Sequence, residues 1–170
     1  MKPNSSLIIG LLASALFSAV AHALPEDQSQ PIRIKADTAD IDEGAGRAIY
    51  TGNVTMNQGT IHISGDKITL YTKEGNVTRM VAEGNPAHYR EKPAADKEII
   101  KAYGNTIDYS VASDQVKLLK NARLLQEGNS FTGETIHYNM TTQAVNAQSG
   151  SSSSKAGNRV EMIIQPKVKQ

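Results

Sequence analysis

The chain has 170 residues, with 18 Lys plus Arg against 17 Asp plus Glu and a formal net charge of +1. It has no basic tract, which argues against nucleic acid as the main partner, because neutralising a phosphate backbone needs clustered Lys and Arg. Cysteine is absent, so no disulfide framework and no cysteine-ligated metal is available.

In chain order, Lys2, the apolar run Leu7 to Val20 and the small-residue ending Ala21-His22-Ala23 have the sequence of parts of a secretory signal peptide. The run is short for a membrane span. Cleavage after Ala23 would leave Leu24 to Gln170, 147 residues with 17 charges of each sign, enough for one domain with a core. An exported chain without cysteine must be held by burial and backbone hydrogen bonds alone. The expected division is a leader over 1–23, one domain over 24–148, a Ser-rich loop over 149–158 and a final strand with its tail over 159–170.

Beyond residue 31 the sequence has almost no helical periodicity. Short runs of alternating apolar and polar residues recur instead, at 31–36, 46–58, 59–64, 66–71, 75–84, 105–110, 114–128, 130–139 and 159–165. Period two marks a strand with one wet and one dry face. Gly and Asn punctuate the runs as turn residues do. The fold class is therefore all-β, built of short antiparallel strands. The segment 91–98, EKPAADKE, reads as a loop or a single helical turn. Gly65-Asp66, between Ile61-x-Ile63 and Ile68-x-Leu70, reads as a turn between strands, with Asp66 and Glu134 closing turns through backbone bonds.

The pattern repeats. Gly65-Asp66-x-Ile68-x-Leu70 is echoed by Gly133-Glu134-x-Ile136-x-Tyr138, and one ungapped offset of 68 carries residues 33–79 onto 101–147. A weaker echo of 29 links Ala36-Asp37 to Gly65-Asp66 and Gly104-Asn105 to Gly133-Glu134. Repeats of this kind cannot bury their dry faces singly. They must close into a barrel or stack as two sheets. An open stack would leave edges at Ile32-Arg33-Ile34 and at Val160, Met162 and Ile164, suited to head-to-tail addition of another strand.

Groups arranged for chemistry are scarce. Ser64, Ser110 and Ser130 have no evident His and Asp partners, and no G-x-S-x-G elbow occurs. His62, His88 and His137 form no paired metal motif, and His62 and His137 alternate with isoleucines, so they are expected to face solvent. Two carboxylates converging on a sugar would make a secreted carbohydrate-active enzyme. A structural or protein-interaction β-repeat domain is a second alternative. The third is a binding module: a dry face with few large rings and with methionines at 56, 80, 140 and 162 describes either an ordinary core or an adaptable groove for acyl chains.

Several motifs together carry a resemblance. Pro31-Ile32-x-Ile34, Tyr50-Thr51-Gly52-Asn53-Val54, Gln58-Gly59-Thr60-Ile61-x-Ile63-x-Gly65-Asp66, Gly84-Asn85-Pro86-Ala87-His88-Tyr89 and Gly104-Asn105-x-Ile107-x-Tyr109 resemble the OstA-like (LptA-type) family of periplasmic lipopolysaccharide-transport proteins over roughly residues 31–147. The resemblance implies a twisted β-jellyroll open at both ends, with no catalytic site, no metal and no cofactor. It implies a periplasmic bridge between an LptC-like inner-membrane protein and an LptD-like outer-membrane protein, self-associating head to tail, with the acyl chains of lipopolysaccharide inside and the sugars outside. On that reading Ile32, Ile34, Tyr89, Tyr109 and Val111 line the groove, and alternation agrees, placing Ile32 and Ile34 on one face of the first strand and Tyr109 and Val111 on one face of theirs. The chain departs from the family pattern in a short tail after the Ser run and in a histidine at position 88.

Overall fold

The structure, a computed structural model, describes residues 27–150 and 159–166. The leader assigned to 1–23 and most of the Ser-rich stretch lie outside those residues. Among the described residues ten strands form one antiparallel sheet: β1 (Arg33–Lys35), β2 (Thr38–Asp42), β3 (Arg47–Gln58), β4 (Ile61–Lys73), β5 (Asn76–Glu91), β6 (Ile100–Ser110), β7 (Gln115–Gln126), β8 (Asn129–Asn139), β9 (Ala144–Gln148) and β10 (Glu161–Ile163). Their order is β1-β3-β4-β5-β6-β7-β8-β10, with β2 also on β3 and β9 also on β8. The sheet does not close, so β1 and β2 stand at one edge and β9 and β10 at the other.

Every long strand is interrupted at the same level. The register breaks between Thr51 and Val54, between Ser64 and Lys67, between Glu83 and Ala87, between Tyr103 and Thr106 and between Leu119 and Ala122. Such bulges bend a strand and sharpen its twist. Here they divide each strand into two arms, and the sheet doubles over so that the arms form two facing layers. Tyr138 of β8 accordingly reaches Glu91 of β5, although β6 and β7 separate these strands in the sheet. We call the layer that contains β1 and β10 the lower and the one that contains β2 and β9 the upper.

This geometry corrects the reading of Gly65-Asp66 and Gly133-Glu134. They are not turns but lie inside β4 and β8 at the bend, and neither Asp66 nor Glu134 closes a turn. A Cβ on residue 65 would lie 2.6 Å from the Glu83 carbonyl oxygen, so glycine is what lets β5 cross that closely. The inward positions shift from Ile61 and Ile63 to Ile68 and Leu70 because a bulge inserts residues that change which face the following side chains take. The runs 59–64 and 66–71 are thus one strand.

The 68-residue echo is a structural repeat. It carries β1 and β2 onto the two arms of β6, β3 onto β7, β4 onto β8 and the start of β5 onto β9. Details repeat as well. Asn53 Nδ2 donates to Asp37 Oδ2 at 3.2 Å, and Asn121 Nδ2 to Asn105 Oδ1 at 3.1 Å. Thr72 N donates to Gly46 O at 2.8 Å, and Met140 N to Asp114 O at 2.9 Å. The bulge pair Gly52-Asn53 has φ of 86° and 45°, and Lys120-Asn121 has 59° and 53°. The 29-residue echo marks the bend itself, which falls at 36–37 and 104–105 as it does at 65–66 and 133–134.

Alternation places one apolar row along the inside of each layer. The lower row runs from Ile34 through Met56, Ile63, Tyr89, Ala102, Leu124 and Phe131 to Met162. The upper row runs from Ile41 through Ala48, Leu70, Met80, Tyr109, Val116 and Tyr138 to Val145. Away from the edges these residues pack into one core. The segment 92–99 is a loop with a turn closed by Lys97 N on Ala94 O at 3.1 Å.

Candidate functional site

The interior between the layers is the feature that the fold builds most deliberately, and it is filled by side chains. Tyr89 and Tyr109 are fully buried, and their rings meet edge to face with centroids 6.4 Å apart. They come from opposite layers, since Tyr89 pairs with Ala102 and Tyr109 with Met80. Ile32 and Ile34 are half-buried and pack on the same core at the β1 edge. Val111 also packs on it, but from a 3₁₀ turn (Val111–Ser113) after β6 and not from a strand shared with Tyr109. The five expected groove residues therefore form a central tyrosine pair with Val111 beside it and an edge pair three strands away in the sheet order.

At the open ends of the arms the interior turns polar. Glu91 is 3% exposed and accepts hydrogen bonds from Tyr89 Oη to Oε2 and from Tyr138 Oη to Oε1, each 2.7 Å. The Met140 sulfur lies 3.6 Å from the Tyr89 hydroxyl. This triad ties the lower layer to the upper. Burial raises the pKa of Glu91 above the ordinary carboxylate value, against the opposing pull of the two tyrosine bonds. Burial and the charges of Asp114 and Glu91 push the Tyr109 phenol up to about 12. Burial likewise raises Tyr89 and Tyr138, so all three phenols stay protonated at neutral pH.

A short N-terminal strap crosses the same mouth. Asp27 Oδ1 accepts from Thr60 N at 2.7 Å, and Oδ2 from Thr60 Oγ1 at 2.6 Å, on the lower side. Gln28 Nε2 donates to Val111 O at 3.3 Å and to Asp114 on the upper side. Gln58, inward-facing and 4% exposed, donates to Gln28 O and Gln30 O, both at 3.2 Å. Beneath the strap a cavity of about 400 Å³ is lined by Ile61, Glu91, Tyr109, Asp114 and Met140 among others.

Sequence reasoning did not single out Glu91, Tyr138, Asp27 or Gln28. Alternation could have found the first two, because Glu91 continues the parity of Ala87 and Tyr89, and Tyr138 that of Ile136. The strap carries no periodic signal. Among the described residues, no group of three or more His, Cys, Asp or Glu side chains is placed to hold a metal, and no helix is long and apolar enough to cross a membrane.

At both edges the inner rows end in the open. Ile41 is 62% exposed, Met162 52% and Ile164 65%. β10 lies on the lower arm of β8, with Met162 opposite Phe131, so the expected edge residues Val160, Met162 and Ile164 flank or occupy the terminal strand of the sheet. Residues Arg33 and Ile34 of β1 hold the corresponding place at the other edge, paired with Asn57 and Met56, with Ile32 just before them.

An unclosed antiparallel sheet, folded over an apolar interior and open at both edges, defines an open β-jellyroll, not a barrel with a closed lumen. A family model described as LptA/(LptD N-terminal domain) LPS transport protein matches residues 33–144, and the chain belongs to this family. It is 45% identical over 166 residues to the lipopolysaccharide export system protein LptH of Pseudomonas aeruginosa, covering 96% of this chain and 94% of that one. With the lipopolysaccharide export system protein LptA of Escherichia coli K12 the identity is 31% over 169 residues, covering 97% and 88%. The crystal structure of LptH, the LptA homologous periplasmic component of the lipopolysaccharide transport device of P. aeruginosa, matches with a TM-score of 0.77 at 41% identity, covering 84% of this chain and 100% of that one. The LPS-assembly protein LptD of Vibrio cholerae is 32% identical over 116 residues, 68% of this chain and 13% of that protein.

Proposed function

We propose that this chain is the periplasmic bridge of a lipopolysaccharide-transport system, exported by a leader cleaved after Ala23. It shields the acyl chains between its two layers while the sugars stay outside. The observation that carries this reading is that both inner rows run unbroken from edge to edge and end on exposed Ile41 and Met162. A second jellyroll added at either edge would continue both rows. One edge would meet an LptC-like inner-membrane protein and the other the N-terminal jellyroll of an LptD-like outer-membrane protein, with further copies between them. The likeness to LptD over 116 residues supports an edge-to-edge contact between domains of one kind.

No catalytic step is needed for this task. Each acyl methylene moved out of water contributes about 0.8 kcal/mol, so a lipid with several chains is held without charge pairing. Because side chains fill the interior, lipid enters by parting the layers at the mouth, where the Tyr89–Glu91–Tyr138 triad and the strap are the contacts to be displaced. Purified protein loaded with an environment-sensitive acyl probe should release it to lipopolysaccharide and not to the sugar portion stripped of its acyl chains. Displacement by the deacylated sugar alone would contradict the proposal.

A further inference from the structure

The outer faces of the two layers differ in charge in a way that the net charge hides. On the upper layer, four acids stand among four bases, and two pairs are closed, Lys67 with Glu83 and Arg79 with Asp108. On the lower layer, the two rows that alternate with the inner row carry five exposed cations: Arg33, Lys35, Arg90, Lys101 and Arg123. Their only acid is Glu161, at the far edge, and none of the five is in an ion pair among the described residues.

Rings lie between these cations. His88 stacks on Tyr103 with centroids 4.7 Å apart, and His62 meets His88 edge to face at 6.3 Å. The His88 Nε2 atom is shielded from solvent and has no hydrogen-bond partner. Burial, and next the neighbouring charge of Arg90, lower the pKa of His62; burial followed by His62, Arg90 and Lys101 does the same to His88.

The basic face reaches the mouth. A cleft of about 260 Å³ on the outer side of the lower rim is lined by Asn57, His62, Arg90 and Lys92 together with Ile61 and Glu91. Ile61, Glu91 and Lys92 also line the cavity under the strap, so interior and cleft meet across the rim. Inside the mouth the carboxyl groups of Asp27, Glu91 and Asp114 outnumber the one cation, Lys92, which makes the outer side of the rim the more favourable place for an anion.

We propose that this outer face of the lower layer, centred on the rim cleft of His62, Arg90 and Lys92 and continuing over Lys101 and Arg123, binds the phosphate-bearing sugar headgroup of the same lipid whose acyl chains occupy the interior. The inference rests on the carrier reading above. Guanidinium and ammonium groups match phosphate oxygens, and the rings of His62, His88 and Tyr103 lie among them. The basic rows run across the sheet parallel to the inner apolar row, so head and tail can advance in one direction. In a stack joined at its edges this face points sideways, which favours a carried headgroup over a membrane surface.

The test uses the whole protein with Arg90→Gln, Lys101→Gln and Arg123→Gln combined, three exposed sites on a folded sheet, and Lys117→Gln on the upper face as control. Binding is measured with lipopolysaccharide, with the same lipid after removal of its phosphates, and with vesicles of phosphatidylglycerol in phosphatidylcholine. The triple variant is expected to lose about tenfold in affinity for the phosphorylated lipid, to bind the dephosphorylated lipid as the unaltered protein does, and to match the control in circular dichroism. Equal weakening toward both lipids, no weakening toward either, or a larger loss of vesicle binding than of lipid binding would overturn the proposal. Failure of the unaltered protein to take up either lipid would instead overturn the carrier reading, and this one with it.

Discussion

Replacing Glu91 by alanine is expected to destabilise the protein by about 2–4 kcal/mol, one of the largest effects of any single change. Two buried phenols, Tyr89 and Tyr138, donate to its two oxygens. Truncation removes both acceptors at once, and each orphaned buried donor costs about 1–3 kcal/mol. Glu91→Gln keeps an acceptor and a similar volume, so its cost should be far smaller. The carboxylate is itself a burden when charged, because burial raises its pKa above the ordinary 4.5. A raised acid is favoured in its protonated form by the fold. Its contribution to stability is therefore fully present below about 4.5 and declines as the pH rises through the elevated value. Denaturant unfolding over this range should show that decline in the unaltered protein, and Glu91→Gln should abolish it. Equal midpoints for Glu91→Ala and the unaltered protein would mean that the triad does not tie the layers together.

Met162→Asp is the second large effect expected, on assembly and not on stability. Met162 stands last in the lower inner row and is 52% exposed, so a carboxylate there is tolerated in the lone domain. In a stack it would be buried against the next jellyroll without a partner, which is strongly unfavourable. Self-association should weaken by tenfold or more in a sedimentation series. Ile41→Asp should do the same from the other edge, where Ile41 is 62% exposed. The two edges differ, so a contact between them would be heterologous. Mixing the two variants should restore a dimer through the one intact edge of each, whereas either variant alone stays monomeric. Pull-down with the membrane partners should show each variant losing a different one. Full association of both variants would remove these edges as docking sites.

The fold was legible wherever alternation was undiluted. Tyr89, Tyr109, Ile63 and Ile107 lie inside as their parity requires, and the 68-residue echo appears as a repeat down to the Asn53–Asp37 and Asn121–Asn105 bonds. The bends were misread because Gly followed by a polar residue serves a bulge as well as a turn. Both need close backbone approach or loose pairing, and only the partner strand tells them apart. β2 escaped notice because Ile41 is the one large apolar residue in Thr38–Asp42, and a single such residue shows no alternation. Val111 was assigned by parity past the end of β6, where a 3₁₀ turn ends the alternation. The strap was invisible for a different reason: Asp27 and Gln28 act through hydrogen bonds to residues 33 and 83 or more positions away, and no local pattern encodes such partners. Glu91 was legible in principle, as a charge on the inward parity of an apolar strand.

The central claim is that acyl chains travel between the layers. Site-specific photo-crosslinking tests it most directly, with the probe placed in turn at Ile32, Ile34, Tyr89, Tyr109 and Val111, and at Lys117 and His137 on the outer face of the upper layer, before lipopolysaccharide is added. Adducts to the acyl portion at the five inner sites, and none at Lys117 or His137, are expected. Acyl adducts at Lys117 or His137 without any at the inner sites would place the lipid outside the jellyroll and contradict the account.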